Sequence, residues 1–167
     1  IDHQAIEFGF SQRGDFVEAD LETLLLAANA PAQVLSAFQA HAADRKALLF
    51  TPTVATAYAM ADTFCAAGIA AEALDATTPL ATLRAILQRL HTGETRVVAN
   101  CAVLTEGFDE PSVDCIIVAR PTQSLPLYQQ MLGRGTRTYP GKTDCLLLDV
   151  VGVSTQHTLH TAATLFG

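Results

Sequence analysis

Residues 47–74 have the sequence ALLFTPTVATAYAMADTFCAAGIAAEAL, and this stretch decides the fold of the chain. ALLFT is a short apolar segment typical of a buried strand. The alanine-rich VATAYAMADTFCAAG that follows predicts a helix that ends at Gly68, and IAAEAL predicts a second short strand. A helix between two strands of one sheet makes those strands parallel, because the crossover returns the chain to the edge where it started. The stretch therefore predicts an α/β fold.

The same alternation continues on both sides of this stretch. PAQVLSAFQAHAADRK predicts a preceding helix, and PLATLRAILQRLHTG predicts a clearly amphipathic helix between Pro79 and Gly93. A further helix is predicted over LPLYQQMLG, and further strands over TRVVAN, VDCIIVAR and DCLLLDVV. The pattern predicts a mainly parallel sheet with helices on both faces, over residues 31–167. Residues 1–30 are acidic and lack a clean period, so we predict a linker or strap there.

Positive charge in this chain is scarce and local. The 167 residues include ten Lys and Arg against seventeen Asp and Glu, a net charge of −7. This balance argues against a domain that holds nucleic acid by a general positive field. Arg120, Arg134, Arg137 and Lys142 nevertheless lie close together in the sequence. Any functional positive charge is therefore expected to be local.

No segment of the sequence predicts export or membrane insertion. The chain shows no signal-peptide pattern and no apolar run approaching the roughly 18 residues of a spanning helix. We therefore expect a cytoplasmic protein without membrane contact.

Cysteine and histidine are not spaced as metal ligands. No C-x-x-C pair occurs, and the four cysteines sit inside apolar segments, which predicts buried, reduced thiols at Cys65, Cys101, Cys115 and Cys145. His157 and His160 have no third ligand nearby in sequence, so a solvated helix surface is favoured over a metal site. We expect no metal site in the chain itself.

GRGTRTYPGKT, residues 133–143, ends like a phosphate-binding P-loop, but its spacing is wrong for one. A G-x-x-x-x-G-K-[ST] loop would need glycine where the chain has Thr136. Pro140, inside the segment, has no N–H to offer a phosphate. The next residues predict a strand, whereas a P-loop leads into a helix. Gly141-Lys142 is therefore predicted to be the tip of a helix-to-strand turn, and replacing Lys142 is expected to be nearly neutral.

Small and hydroxyl-bearing residues follow several of the predicted strands. In parallel sheets the ligand site lies at the carboxyl ends of the strands. There, hydroxyls and backbone N–H groups could approach phosphates without reading bases. For any single loop the alternative is that Thr and Pro are common turn formers. The segments concerned are 51–53, 75–78, 100–109 and 120–124.

At this point the sequence resembles a known family. ALLFTPTVATAYAMADTF, VVANCAVLTEGFDEPSVDCIIVARPTQS and LYQQMLGRGTR resemble motifs IV, V and VI of superfamily-two helicases of the DEAD/DEAH-like type. Their order and spacing are similar to those of the second, C-terminal RecA-like motor domain, over about residues 47–150. Motif VI, Q-x-x-G-R-x-x-R, is the most specific part. The resemblance implies a RecA-like three-layer sandwich.

The resemblance also implies what the arginines do. In this family the second domain closes over ATP and Mg²⁺ held mainly by the N-terminal RecA-like domain of the same polypeptide, and it presents arginines to the γ-phosphate. Arg134 and Arg137 match those positions, and Gln130 matches the first position of motif VI. Spacing of three on a helix would put both arginines on one face. By the same resemblance, Gly107 and Asp109 of motif V would lie near the nucleotide sugar and the domain interface.

A second set of residues is implied to contact the nucleic-acid backbone: Thr51, Pro52, Thr53, Asn100 and Thr105. DEAD-box RNA helicases usually have His and Arg at the first two positions of motif VI, and Arg before the motif V glycine. This chain has Gln130, Met131 and Glu106 there, which favours DNA as the partner. Asn100-Cys101 also replaces the usual Thr-Asp at the start of motif V.

The sequence therefore predicts the second motor domain of an ATP-dependent helicase or translocase, inactive when isolated. One alternative is a non-catalytic interaction domain that keeps the fold. Another is a Rossmann-like small-molecule enzyme with GRGTR as a degenerate cofactor loop. Position argues against the latter, because a dinucleotide-binding loop follows the first strand and GRGTR precedes the last one.

Overall fold

A computed structural model of the protein describes residues 29–104, 108–120 and 124–150. Helices and strands alternate there in the predicted order. The helices are α1 (Ala30–His41), α2 (Val54–Ala66), α3 (Leu80–Thr92) and α4 (Leu125–Gly133). The strands are β1 (Ala47–Phe50), β2 (Ala71–Leu74), β3 (Val97–Asn100), β4 (Cys115–Val118) and β5 (Leu146–Asp149). The predicted linker over 1–30 lies outside the described residues, except for Asn29 and Ala30 at the start of α1.

The five strands form one parallel sheet in the order β2-β3-β1-β4-β5. In its centre, Ala47 of β1 is in register with Val97 of β3 on one side and Cys115 of β4 on the other. Every residue of these three strands is buried, whereas β5 at one edge is half-buried throughout. Their nearly continuous apolar sequences are typical of strands covered on both faces.

Alternate residues of β1 supply two separate cores, because successive side chains of a strand point to opposite faces. Ala47 and Leu49 face α1 and α2, where Phe38 packs edge-on against Phe64 with ring centroids 5.3 Å apart. Leu48 and Phe50 face α3 and α4, on a core completed by Ile86, Leu90, Tyr128 and Met131. The three-layer α/β sandwich is therefore confirmed.

The crossovers determine where the loops lie. The connection through α2 runs from β1 to β2 over one face, and those through α3 and α4 run in the opposite direction over the other face, so all three have one hand. The β3–β4 connection contains no helix in its described residues. Its Leu104 and Phe108 pack into the core under α3 and α4. This connection therefore crosses the α3/α4 face from the carboxyl end of β3 to the amino end of β4, past the central strand β1.

The thiols are less uniformly buried than predicted. Burial raises the pKa of Cys115 to about 12 and that of Cys145 to about 11. Cys65, however, is exposed near the end of α2, and Cys101 and Cys145 are partly exposed, so the prediction of four buried cysteines is wrong.

None of the described helices combines the length and the apolar character that a membrane-spanning helix needs. Within the described ranges, His, Cys, Asp and Glu form no group of three or more that could hold a metal ion. The predicted surface pair His157 and His160 lies outside those ranges.

Candidate functional site

Thr51 joins the carboxyl ends of β1 and β3. Its N–H donates to the Asn100 carbonyl at 3.0 Å, and its hydroxyl lies 3.2 Å from the same oxygen and 3.1 Å from the Thr53 carbonyl. The residue is fully buried. The Thr51 hydroxyl therefore faces the protein, where it holds the loop into α2 against the end of β3.

Asn100 is the matching residue on β3, and it is also fully buried. Its Nδ2 donates to the Leu49 carbonyl at 3.1 Å, and its Oδ1 accepts the Leu104 N–H at 3.3 Å. The side chain thus connects the central strand to the first residues of the β3–β4 connection. Direct contact of Thr51 and Asn100 with nucleic acid stays a prediction, and their burial favours a role in holding the loops.

Thr53 begins α2 and is more accessible. Its Oγ1 accepts the Thr56 N–H at 3.1 Å while its own N–H donates to Thr56 Oγ1 at 3.1 Å, a reciprocal capping box. Pro52 precedes it and is buried. Since the first turn of any helix has four N–H groups without intrahelical partners, this start of α2 is a natural place for an anion.

Tyr58 gives the same edge an exposed aromatic ring. Val54 and Tyr58, four residues apart on α2, are 44% and 45% exposed. The Tyr58 hydroxyl donates to Asp75 Oδ2 at 3.1 Å, after β2. Hydrogen bonds from Thr77 and Tyr58 hold the pKa of the Asp75 carboxyl below its usual range. The first turns of α2 and the loop after β2 are therefore linked.

The arginine pair lies elsewhere, beyond the end of α4. This helix ends at Gly133, so Arg134 is its C-cap and Arg137 lies in the following loop. The prediction that both arginines share a helix face is therefore wrong. Gly135 is buried where its chain passes over the sheet, and a Cβ there would lie 2.7 Å from Ile116 Cγ1. Glycine at 133 and 135 disfavours continuation of the helix, and this close approach sets the path of the loop.

The two arginines contact successive residues of the β3–β4 connection. Arg134 Nη1 donates a short hydrogen bond to the Phe108 carbonyl, and the residue is half-buried. Arg137 Nε lies 3.7 Å from Asp109 Oδ1, in a pair whose side chains are 56% and 60% exposed. Asp109 of motif V thus lies beside Arg137 of motif VI, and contact of either residue with a nucleotide stays a prediction. Gly107 and Thr105 lie outside the described residues.

Gln130 is exposed on α4, four residues before Arg134. This spacing places the two residues on one side of the helix, one turn apart. The predicted catalytic residues are therefore arranged along α4 and its C-terminal loop.

Glu110 supports the β3–β4 connection from within. The residue is 9% exposed, and its carboxylate accepts the Ser112 N–H at 3.1 Å and a short hydrogen bond from the Ser112 hydroxyl. His91 of α3 lies 3.0 Å from the same carboxylate. Burial opposes ionisation of Glu110, but the contacts with Ser112 and His91 outweigh it and lower the pKa. Sequence reasoning missed this residue, since one acid in an acidic segment has no distinguishing pattern.

Lys142 also differs from expectation. The turn is present, with Gly141 at φ +84, but the lysine does not simply point into solvent from it. Its ammonium donates to the carbonyls of Gly135, Arg137 and Pro111 at 2.6, 2.8 and 3.3 Å. These contacts argue against the expectation that replacing Lys142 is nearly neutral, and measurement of the variant decides between the two. No pattern around a single lysine in a turn predicts them.

The predicted nucleic-acid site and the predicted arginine site lie toward opposite ends of the strands. Thr51 and Asn100 mark the carboxyl ends of the strands, as predicted. Helix α4 returns from that edge, so the loop after it passes near the amino ends of β4 and β5, where Gly135 packs on Ile116 and Cys145. The expectation that ligands bind at the carboxyl ends of parallel strands therefore does not predict where the arginines lie.

Comparison with known proteins identifies the domain. A model of the helicase conserved C-terminal domain matches residues 29–139. The proposed ATP-dependent helicase IRC3 of Saccharomyces cerevisiae is 44% identical over 82 residues, which cover 49% of this chain and 12% of that protein. The proposed mitochondrial ATP-dependent helicase irc3 of Schizosaccharomyces pombe is 38% identical over 136 residues, 81% of this chain and 22% of that protein. The chain thus spans less than a quarter of either relative.

Solved structures share the fold at low sequence identity. The C-terminal domain of the DEAD-box protein Dbp5 superposes with a TM-score of 0.63 at 16% identity, covering 73% of this chain and 69% of that one. A fragment of an HsdR subunit of a type I restriction enzyme from Vibrio vulnificus gives 0.62 at 21% identity, covering 75% and 27%. These likenesses establish the RecA-like α/β fold. Since the family model covers more than half of the sequence, the chain belongs to the family of the helicase conserved C-terminal domain.

Proposed function

We propose that this chain is the second motor domain of an ATP-dependent helicase or translocase that acts on DNA. One observation carries the proposal: Arg134 and Arg137 contact the successive residues Phe108 and Asp109. Two loops that are distant in sequence thereby bring two permanent positive charges to one place on a chain of net charge −7. Domain membership and the helicase names of the relatives support the same function.

The arginine chemistry suits phosphoryl transfer. ATP with Mg²⁺ supplies the γ-phosphoryl group, which we propose the N-terminal RecA-like domain of the same polypeptide holds. A planar guanidinium can neutralise the charge that spreads over phosphoryl oxygens, and its fork donates two parallel hydrogen bonds. The Arg137–Asp109 pair is exposed and long, so exchanging Asp109 for a phosphate costs Arg137 little. Arg134 is anchored on the Phe108 carbonyl and would act from a fixed position.

Gln130, Asp109 and Gly107 complete the proposed nucleotide side. Gln130 is exposed one helical turn from Arg134, within reach of the same ligand if the domains close. Asp109 is exposed beside Arg137, which is consistent with a contact to the nucleotide sugar. Gly107 comes two residues earlier in the same connection.

The carboxyl edge is the proposed nucleic-acid side. The start of α2 at Thr53 offers backbone N–H groups to a phosphate, and Thr105 would add a contact from the β3–β4 connection. We assign Thr51, Pro52 and Asn100 to holding these loops, because all three are buried. We propose DNA rather than RNA because Glu106, Gln130 and Met131 depart from the pattern of DEAD-box RNA helicases.

The test separates ATP binding from ATP turnover in the full-length protein. Arg134→Ala and Arg137→Ala should each lower DNA-stimulated kcat by roughly 10³- to 10⁵-fold, because the arginines act on charge that develops in the transition state. The Kd for an ATP analogue should stay within about threefold. Lysine at either position should restore little, since an ammonium lacks the planar fork.

Arg89→Ala is the matched control. Arg89 is an ion-paired arginine on α3, bonded to Glu72 of the edge strand β2 on the far side of the sheet from β5. Its removal should leave turnover unchanged. Normal kcat in both Arg134→Ala and Arg137→Ala would overturn the proposed function.

A further inference from the structure

The ammonium of Lys142 is bonded to carbonyls from two different segments. Gly135 and Arg137, with acceptor distances of 2.6 and 2.8 Å, belong to the loop that follows α4. Pro111, at 3.3 Å, belongs to the β3–β4 connection. The turn that delivers the lysine closes on itself, since the Lys142 N–H donates to the Tyr139 carbonyl at 3.0 Å. Lys142 therefore ties together the two segments that carry the proposed nucleotide contacts.

Donors and acceptors match in number. A lysine ammonium has three N–H donors on one atom, and three carbonyl oxygens surround it here. Glutamine would bring two donors on its nitrogen, and methionine none. Burial lowers the pKa of Lys142, which agrees with an ammonium partly withdrawn from water. The three acceptors therefore match the three donors of a lysine ammonium.

The Arg137 carbonyl is the informative acceptor. The Arg137 side chain is 56% exposed and, among the residues that the structure describes, its charged partner is Asp109 at 3.7 Å, so its position depends on the backbone from which it extends. Lys142 fixes that backbone at Arg137 and at Gly135, immediately after Arg134. Through Pro111 it also fixes the connection that carries Asp109.

We propose that Lys142 is a positioning residue for ATP hydrolysis, which braces the arginine loop against the β3–β4 connection so that Arg137 is presented in one place. This inference rests on the proposed function, since it needs Arg137 to act on the nucleotide. It assigns Lys142 no contact with ATP.

The test uses Lys142→Met in the full-length protein, which keeps an unbranched side chain, one atom shorter, and removes all three donors. DNA-stimulated kcat should fall about 10- to 100-fold, because small misplacements of a catalytic group cost this much. The Kd for an ATP analogue should stay within about threefold. Hydrogen exchange should rise at residues 135–138 and 110–112 and stay unchanged in β1 and β3. Lys142→Gln should fall between the wild type and Lys142→Met in both readouts.

Lys46→Met is the matched control. Lys46 is half-buried like Lys142, and its ammonium donates to one backbone carbonyl, that of His91 in α3. Turnover and exchange at 135–138 should not change in this variant.

The outcomes separate the two proposals. Loss of turnover in Arg137→Ala together with normal turnover in Lys142→Met would overturn the role of Lys142 alone. Normal turnover in both arginine variants would overturn the proposed function and this inference with it. Increased exchange throughout β1 and β3 in Lys142→Met and Lys142→Gln would show that Lys142 serves global stability, which also contradicts a positioning role.

Discussion

The polar side chains of the two predicted sites differ in burial and in hydrogen bonding. One site comprises the loops at Thr51 and Asn100, at the carboxyl ends of the strands, and the other is the arginine loop after α4. Thr51 and Asn100 are fully buried and hydrogen-bonded to backbone atoms of neighbouring strands. Arg137 and Asp109 are more than half exposed and 3.7 Å apart. Changes at the first region should therefore cost stability, and changes at the second should cost chemistry with little loss of stability.

The largest loss of stability is expected for Asn100→Ala. It leaves the Leu49 carbonyl and the Leu104 N–H without their partner in a water-free position, and each unpaired group costs about 1–3 kcal/mol. We expect the free energy of unfolding of this chain to fall by about 2–4 kcal/mol in urea titrations. Thr51→Val, which removes one hydroxyl, should cost about 1 kcal/mol. A loss below about 0.5 kcal/mol for Asn100→Ala would contradict the buried bracing.

The next largest loss of stability is expected for Gly135→Ala. Gly135 belongs to the arginine loop but is buried against Ile116 of the sheet, so its substitution should affect both stability and turnover. The new Cβ would lie 2.7 Å from Ile116 Cγ1, and overpacking of this kind costs about 1–3 kcal/mol. The loop must shift to relieve it, so ATP turnover of the full-length protein should fall as well. Gly68→Ala is the control: no atom lies within 4 Å of its Cβ, although its φ of +80 strains alanine. Unchanged turnover in Gly135→Ala would show that the arginine loop tolerates displacement.

The smallest effect on stability is expected for loss of the Arg137–Asp109 ion pair. An exposed ion pair contributes about 0–1 kcal/mol, so a double-mutant cycle of Arg137→Ala and Asp109→Ala should give a coupling energy in that range. The Arg89–Glu72 pair, with two contacts at 2.6 and 3.0 Å and less exposure, should give a larger one. A coupling energy above about 2 kcal/mol for Arg137–Asp109 would mean that the pair is a structural lock.

The pattern of apolar and polar residues was sufficient to predict the α/β fold. Buried strands such as ALLF and CIIV have almost no polar residues, and the amphipathic α3 begins and ends near Pro79 and Gly93. These signals are local, so the element order and the layers followed from the sequence. Strand order did not, since it depends on which crossovers pass over which face.

The site was predicted less completely, for physical reasons that differ by residue. The Q-x-x-G-R-x-x-R spacing identified Arg134 and Arg137, but the expectation that they share a helix face failed because α4 ends at Gly133. The path of the following loop depends on the close approach of Gly135 to Ile116, a residue distant in sequence. Lys142 and Glu110 are bonded to the Pro111 carbonyl and to His91, which lie 31 and 19 residues away and are brought close by the fold. Such partners have no spacing that a sequence can reveal.

The β3–β4 connection limits how far the two sites can move apart. Leu104 is hydrogen-bonded to Asn100 at the carboxyl edge, and Phe108 to Arg134 at the end of α4. Phe108 comes four positions after Leu104, so their Cα atoms can be at most roughly 14 Å apart, even on a fully stretched chain. A displacement of Arg134 beyond the remaining slack must therefore pull on Asn100, or break one of the two bonds. The covalent length of the connection therefore limits how far the Asn100 and Arg134 hydrogen bonds can separate while both stay formed.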